Sequence, residues 1–135
     1  MALRITLKPN ERIIIGKLVL TNGSREAEFW LKGEHIPLLR ENQVIQLDEA
    51  DTPCKRLYFV IQATYLGEYD ADYGQRVFEE QVREIADAAP SLCEPLIKVS
   101  EPFLAGDHYP ALRACKPLIE REAELLAAYA EKTSV

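Results

Sequence analysis

The chain has 135 residues, 47% of them hydrophobic and 28% charged, enough for one compact domain or two small halves sharing a core. Its net charge of −6 is uneven: residues 1–66 hold nine Lys and Arg against eight Asp and Glu, and residues 67–135 hold seven against fourteen. An acidic second half argues against phosphate contacts there, and no run approaches the ~20 apolar residues that cross a bilayer.

Leu3, Ile5 and Leu7 alternate with Arg4, Thr6 and Lys8, the period-2 pattern of a half-buried strand and not of a secretory leader. Pro9-Asn10 supplies a turn. Arg12-Ile13-Ile14-Ile15 predicts a second strand, with Gly16 marking a bend or bulge. Leu18-Val19-Leu20-Thr21 predicts a third, running into Asn22-Gly23, the strongest short hairpin signal. Ala27, Phe29 and Leu31 alternate with Glu28, Trp30 and Lys32 in a fourth strand that Gly33 ends. Weaker strand patterns cover 35–39 and 43–47.

At Thr52-Pro53 the period changes. Thr52 is a good N-cap and Pro53 suits the first helical position, where a missing N–H costs nothing. Leu57, Tyr58, Ile61, Tyr65 and Leu66 follow at helical spacing, and Gly67 is a stop. The alternative, a buried strand over 57–61, stays open because Tyr, Phe, Val and Ile also favour strands. A second helix starts near Asp70 or Asp72 and carries Val77, Phe78, Val82 and Ile85 on one face. Ser91-Leu92-Cys93-Glu94 fits a capping box for a third, which Pro102 should end or kink. Asp107 opens a fourth with a stripe of Leu112, Cys115, Leu118, Ile119, Leu125, Leu126 and Tyr129. Pro117 predicts a kink or split near Cys115 or Lys116, and 132–135 should fray. The expected fold is therefore α+β. An N-terminal antiparallel β sheet or sandwich of short strands (1–51) precedes a bundle of about four helices (52–135), packed on it as one folding unit.

The search for chemistry finds little. Cys54, Cys93 and Cys115 are odd in number and far apart, so reduced thiols are expected, Cys54 having the best setting for a thiolate beside Lys55 and Arg56. There is no phosphate-binding glycine loop, no nucleophile elbow and no metal-ligand spacing around His35 or His108. Glu79, Glu80, Glu120, Glu122 and Glu124 read as solvent-facing. No catalytic residues, cofactor or metal are expected, and binding is the predicted activity. The basic residues of the first half and the first helix start are what remains: Arg4, Lys8, Arg12, Lys17, Arg25, Lys32, Arg40, Lys55 and Arg56, of which all but Lys32 and Arg40 are the RNA-binding candidates. Trp30 falls on the phase opposite Phe29 and is either exposed, where it could stack an unpaired base, or in a second core layer.

Residues 3–12 (Leu-Arg-Ile-Thr-Leu-Lys-Pro-Asn-Glu-Arg), 22–28, 52–59 and 106–115 resemble, in order, segments of the flagellar regulators of the FlbT family. Residues 67–99 are only loosely similar, and Trp30 and Pro117 lie outside the family pattern. The resemblance implies a cytoplasmic post-transcriptional regulator, most often a repressor, that binds the 5′ untranslated leader of flagellin mRNA and alters its translation and stability. It implies a second regulator, FlaF, as a partner, and no catalytic residues. The opening hairpin is also similar to that of the translational regulator CsrA, which favours Arg4 and Lys8 as RNA contacts, with Arg12 close by. The alternative is a protein–protein adaptor binding flagellin, FlaF or a secretion component through Leu112, Leu118 and Leu126 on the last helix. Short edge strands also leave a homo-oligomer open.

Overall fold

The computed structural model describes residues 2–133. It bears out the α+β class, with five short strands followed by four α-helices. The chain divides into two compact units, Met1–Ile45 and Gln46–Val135.

In the first unit β1 (Ala2–Leu7) pairs antiparallel with β4 (Ala27–Lys32), Ile5 opposite Phe29 and Leu7 opposite Ala27. A three-stranded sheet has the order β3-β2-β5, where β2 is Arg12–Ile15, β3 Leu18–Thr21 and β5 Leu38–Arg40. Ile5, Leu7 and Ile13 form the buried centre of this unit, with Ile15, Leu20, Phe29, Leu31 and Leu38 packed around them, so both sheets feed one small core. The alternation read from the sequence produces this directly, because residues two apart share a face.

The hairpin is not where Asn22-Gly23 predicts it. Ile15 pairs with Leu18 across the two-residue loop Gly16-Lys17, and Gly16 adopts φ +59° at the first central position, the place a type II′ turn reserves for glycine. Asn22 instead locks a corner. Its Nδ2 donates to the carbonyls of Leu7 (3.2 Å), Lys8 (2.9 Å) and Arg25 (2.9 Å), and its Oδ1 accepts the Gly23 N–H at 2.9 Å. The strand patterns at 35–39 and 43–47 are corrected too. Only Leu38–Arg40 forms a strand there, and single 3-10 turns occupy Glu41–Gln43 and Leu47–Glu49.

In the second unit α1 (Pro53–Tyr65) begins at the expected Thr52 cap, which settles 57–61 as helix. Gly67 follows it with φ +81°. Helix α2 (Ala71–Ala88) is capped by Asp70, whose side chain accepts the Tyr73 N–H at 2.8 Å. Ser91 does not cap α3 (Cys93–Leu104): a 3-10 turn, Pro90–Leu92, runs directly into it, and Pro102 sits inside the last turn without ending it. Helix α4 (His108–Thr133) is not split at Pro117. Pro117 and Arg113, whose carbonyl loses its i+4 donor, are both exposed, so water can satisfy the orphan. Of the segment expected to fray, Ser134 and Val135 lie outside the described residues.

Helix α1 packs on α2 and α4, and α4 packs on α3. Leu57, Ile61, Phe78, Ile85, Val99, Leu112 and Leu118 are fully or almost fully buried. The Phe78 and Phe103 rings stack at 3.9 Å with an interplanar angle of 13°. At Gly74 of α2 the helix comes so close to α1 that a Cβ there would collide with the Thr64 side chain. No helix among the described residues is long and apolar enough to cross a membrane.

Candidate nucleic-acid interface

The register of β1 with β4 decides which side chains share the outer face of this ladder. Arg4 lies opposite Trp30, Ala2 opposite Lys32, and Thr6 opposite Glu28. All six are exposed, while Ile5 and Leu7 are buried and Phe29 and Leu31 half-buried on the inner face. Trp30 is 63% exposed and is therefore not a second-layer core residue. The Arg4 guanidinium lies 5.9 Å from the Trp30 ring centroid and donates to Glu28 Oε2 at 2.9 Å. An aromatic plate thus stands between two cations, Arg4 and Lys32, with one carboxylate at its side. Lys32, one of the basic residues named from the sequence, lies on this face through its spacing of two from Trp30.

The other predicted cations are placed differently. Lys8 and Arg25 meet at the end of the β1–β4 ladder, where Asn22 ties their carbonyls together. Arg12 lies on β2 opposite Thr21, next in sequence to Asn22, and its guanidinium donates to Glu41 Oε1 through Nη2 at 2.7 Å and Nε at 3.2 Å. Lys17 sits in the β2–β3 turn, at the far end of that hairpin. Arg40 is committed inward, donating to Glu11 at 3.1 Å and to the Thr6 carbonyl at 3.3 Å. The Lys8 backbone N–H donates to Glu11, and with Arg40 it holds the Glu11 carboxyl below the usual value. Lys55 and Arg56 belong to the second unit, in the first turn of α1, where Lys55 pairs with Asp51 at 3.2 Å.

The residues expected to bind a partner protein need correction. Leu112 and Leu118 are 1% and 0% exposed and form part of the helical core, so neither offers a surface. Leu126 is 51% exposed.

The reactive candidates are quiet. Cys54 and Cys115 are fully buried, and burial together with the Glu122 carboxylate pushes both thiols well above their ordinary range, which removes the thiolate expected at Cys54. Glu122 is itself buried, contrary to its reading as a solvent-facing residue. It accepts the Thr52 hydroxyl and the Cys54 backbone N–H at the start of α1. Burial raises the Tyr58 phenol to about 12. Among the described residues no group of three or more His, Cys, Asp or Glu could hold a metal ion.

Residues 3–126 match the family described as flagellar protein FlbT. The chain belongs to the FlbT family. It is similar, at 40% identity over 127 residues, to the probable flagellum biosynthesis repressor protein FlbT of Rhodopseudomonas palustris strain TIE-1, covering 94% of this chain and 99% of that protein. A probable flagellum biosynthesis repressor protein FlbT 1 from Bradyrhizobium diazoefficiens is 36% identical over 129 residues, covering 96% and 88%. The flagellum biosynthesis repressor protein FlbT of Caulobacter vibrioides strain ATCC 19089 is 30% identical over 128 residues, covering 93% and 90%. No solved structure matches the chain. The resemblance to FlbT carried by the four quoted segments is thus borne out, and the match also runs through 67–99, where those segments are silent.

Proposed function

We propose that this FlbT chain is a cytoplasmic regulator of flagellum biosynthesis that binds the 5′ untranslated leader of flagellin mRNA and represses its translation. The names of its relatives support the regulatory role, since they are flagellum biosynthesis repressors. The observation that favours RNA as the ligand is the outer face of the β1–β4 ladder, with exposed Trp30 between Arg4 and Lys32.

An unpaired base stacks on the indole, which contributes about 1–3 kcal/mol, while the two cations meet the flanking phosphates. Arg4 must first leave Glu28, and this costs little, because an exposed ion pair is worth about 0–1 kcal/mol. Lys8, Arg12 and Arg25 extend the track around the Asn22 corner. A chain of net charge −6 depends on these local contacts and not on its overall field.

The test is an electrophoretic shift of the full chain with the flagellin mRNA leader, titrated with salt and compared with an unrelated RNA of equal length. Leader-selective binding that weakens as salt rises is expected, because each phosphate contact releases a counterion. Equal affinity for both RNAs, or no shift by folded protein, would overturn direct recognition.

A further inference from the structure

From residue 123 to residue 132 every position of α4 is exposed. These last turns still carry an apolar stripe: Leu125, Leu126 and Tyr129 are 38%, 51% and 68% exposed. A helical segment this short gains little from propensity alone and normally needs packing on an apolar face. Beside the stripe runs a groove of about 450 Å³, within the range of built ligand sites, with Ile85, Ala88 and Leu92 on its other side. Glu122 lines it, buried, with its two oxygens accepting from Thr52 and Cys54, and the remaining lining is mostly apolar. The groove selects for apolar side chains.

Charge selects further. Glu84 and Asp87 flank Ile85 and Ala88 in the chain, and Glu94 follows Leu92 by two residues. All three are exposed, and among the described residues none has an ion pair. The whole unit Gln46–Val135 holds seventeen Asp and Glu against nine Lys and Arg, a net of −8. A second copy would bring the same acidic border against itself.

We infer that this groove is a docking site for an amphipathic helix of a partner protein, with apolar side chains at i, i+3 or i+4, and i+7 and Lys or Arg on its flanks. Helix-in-groove recognition has this form, the apolar anchors giving affinity and the flanking charges giving orientation and rate. The inference does not depend on RNA binding.

Two fluorescein-labelled synthetic peptides of about 18 residues, long enough to hold a helix, provide the test. Both carry the same leucine stripe, and their polar faces are all Lys in one and all Glu in the other. Anisotropy titration against the full chain, without RNA, should show binding of the Lys peptide only. Leu126→Glu and, separately, Tyr129→Ser should each weaken it at least about tenfold with circular dichroism unchanged; both side chains are exposed, so the fold tolerates their loss. Glu84→Lys with Asp87→Lys should shift preference toward the Glu peptide, and Arg4→Glu should change nothing. Absence of Lys-peptide binding, or equal binding of both peptides, would overturn the inference. So would sedimentation showing a dimer that Leu126→Glu dissolves, which would assign the groove to a second copy.

Discussion

Glu122 of α4 accepts the backbone N–H of Cys54 at 2.9 Å, and so a carboxylate 68 residues downstream completes the cap of α1. The first turn of that helix needs partners for few donors. Pro53 has none, the Cys54 N–H goes to Glu122, and the Lys55 N–H goes to the Thr52 hydroxyl at 3.2 Å. The Thr52 hydroxyl in turn donates to Glu122, so cap and carboxylate hold each other. A negative charge at a helix N-terminus is also favoured by the dipole.

Glu122→Ala should therefore destabilise the protein by about 2–3 kcal/mol, since it strands a buried N–H and a part-buried hydroxyl together. Glu122→Gln should cost less, because the amide oxygen still accepts one of the two. Urea unfolding followed by circular dichroism measures both; equal stability of wild type and Glu122→Ala would show that the cap contributes nothing.

Asn22→Ala should destabilise the first unit by about 2 kcal/mol, because three carbonyls lose one shared donor. Trp30 fluorescence lies in that unit and reports its unfolding. Asn22→Asp should be worse, as it turns a carboxylate oxygen toward the same carbonyls.

On the outer face of β1–β4, Trp30→Ala should weaken leader binding by about 1–3 kcal/mol and leave stability nearly unchanged, because the indole is exposed. Arg4→Glu and Lys8→Glu should weaken binding across all RNA sequences and lower the salt slope by about one each. Filter binding at several salt concentrations separates these effects. Unchanged affinity in all three variants would remove the site from this face.

The His108 ring is half-buried against Phe103, with centroids 4.9 Å apart, and burial holds its pKa below the ordinary 6.5. The folded state thus resists a proton that the unfolded chain accepts. Its contribution to stability is present above pH 6.5 and is lost as pH falls from there through the folded value. His108→Phe should flatten the pH dependence of urea midpoints below pH 6.5. A slope identical to wild type would show that another group carries it.

Thiol chemistry should divide the cysteines. Cys93 is exposed and should react with Ellman's reagent in the native state, whereas Cys54 and Cys115 should react only on unfolding. Three fast equivalents would show that the helical core opens readily.

Local signals found most of the architecture. Alternation located β1 to β4 within a residue or two, because a half-buried strand must repeat every two positions, and Thr52-Pro53 fixed the start of α1 through its own backbone chemistry. What failed was non-local. Asn22-Gly23 carries a turn signal, but β3 has its partner in β2 and β4 has its partner in β1, so the asparagine serves a corner between sheets instead. Glu122 sits among Glu120, Arg121 and Glu124 in a strongly polar stretch, and only the packing of α4 against α1 turns it inward. Strand phase put Arg4 on the outer face of β1 but left Trp30 open between exposure and a second core layer, which its 63% exposure decides. Their juxtaposition with Lys32 depends on strand register, which a sequence does not state.

Gly74 bears on how variants of this protein are to be read. Any side chain there meets Thr64 and pries α2 from α1, although neither residue belongs to the β1–β4 ladder or to the groove. A genetic screen for altered motility will therefore recover position 74 readily, and such alleles will report protein abundance, not recognition. They become informative only after steady-state levels of the protein have been compared by immunoblot.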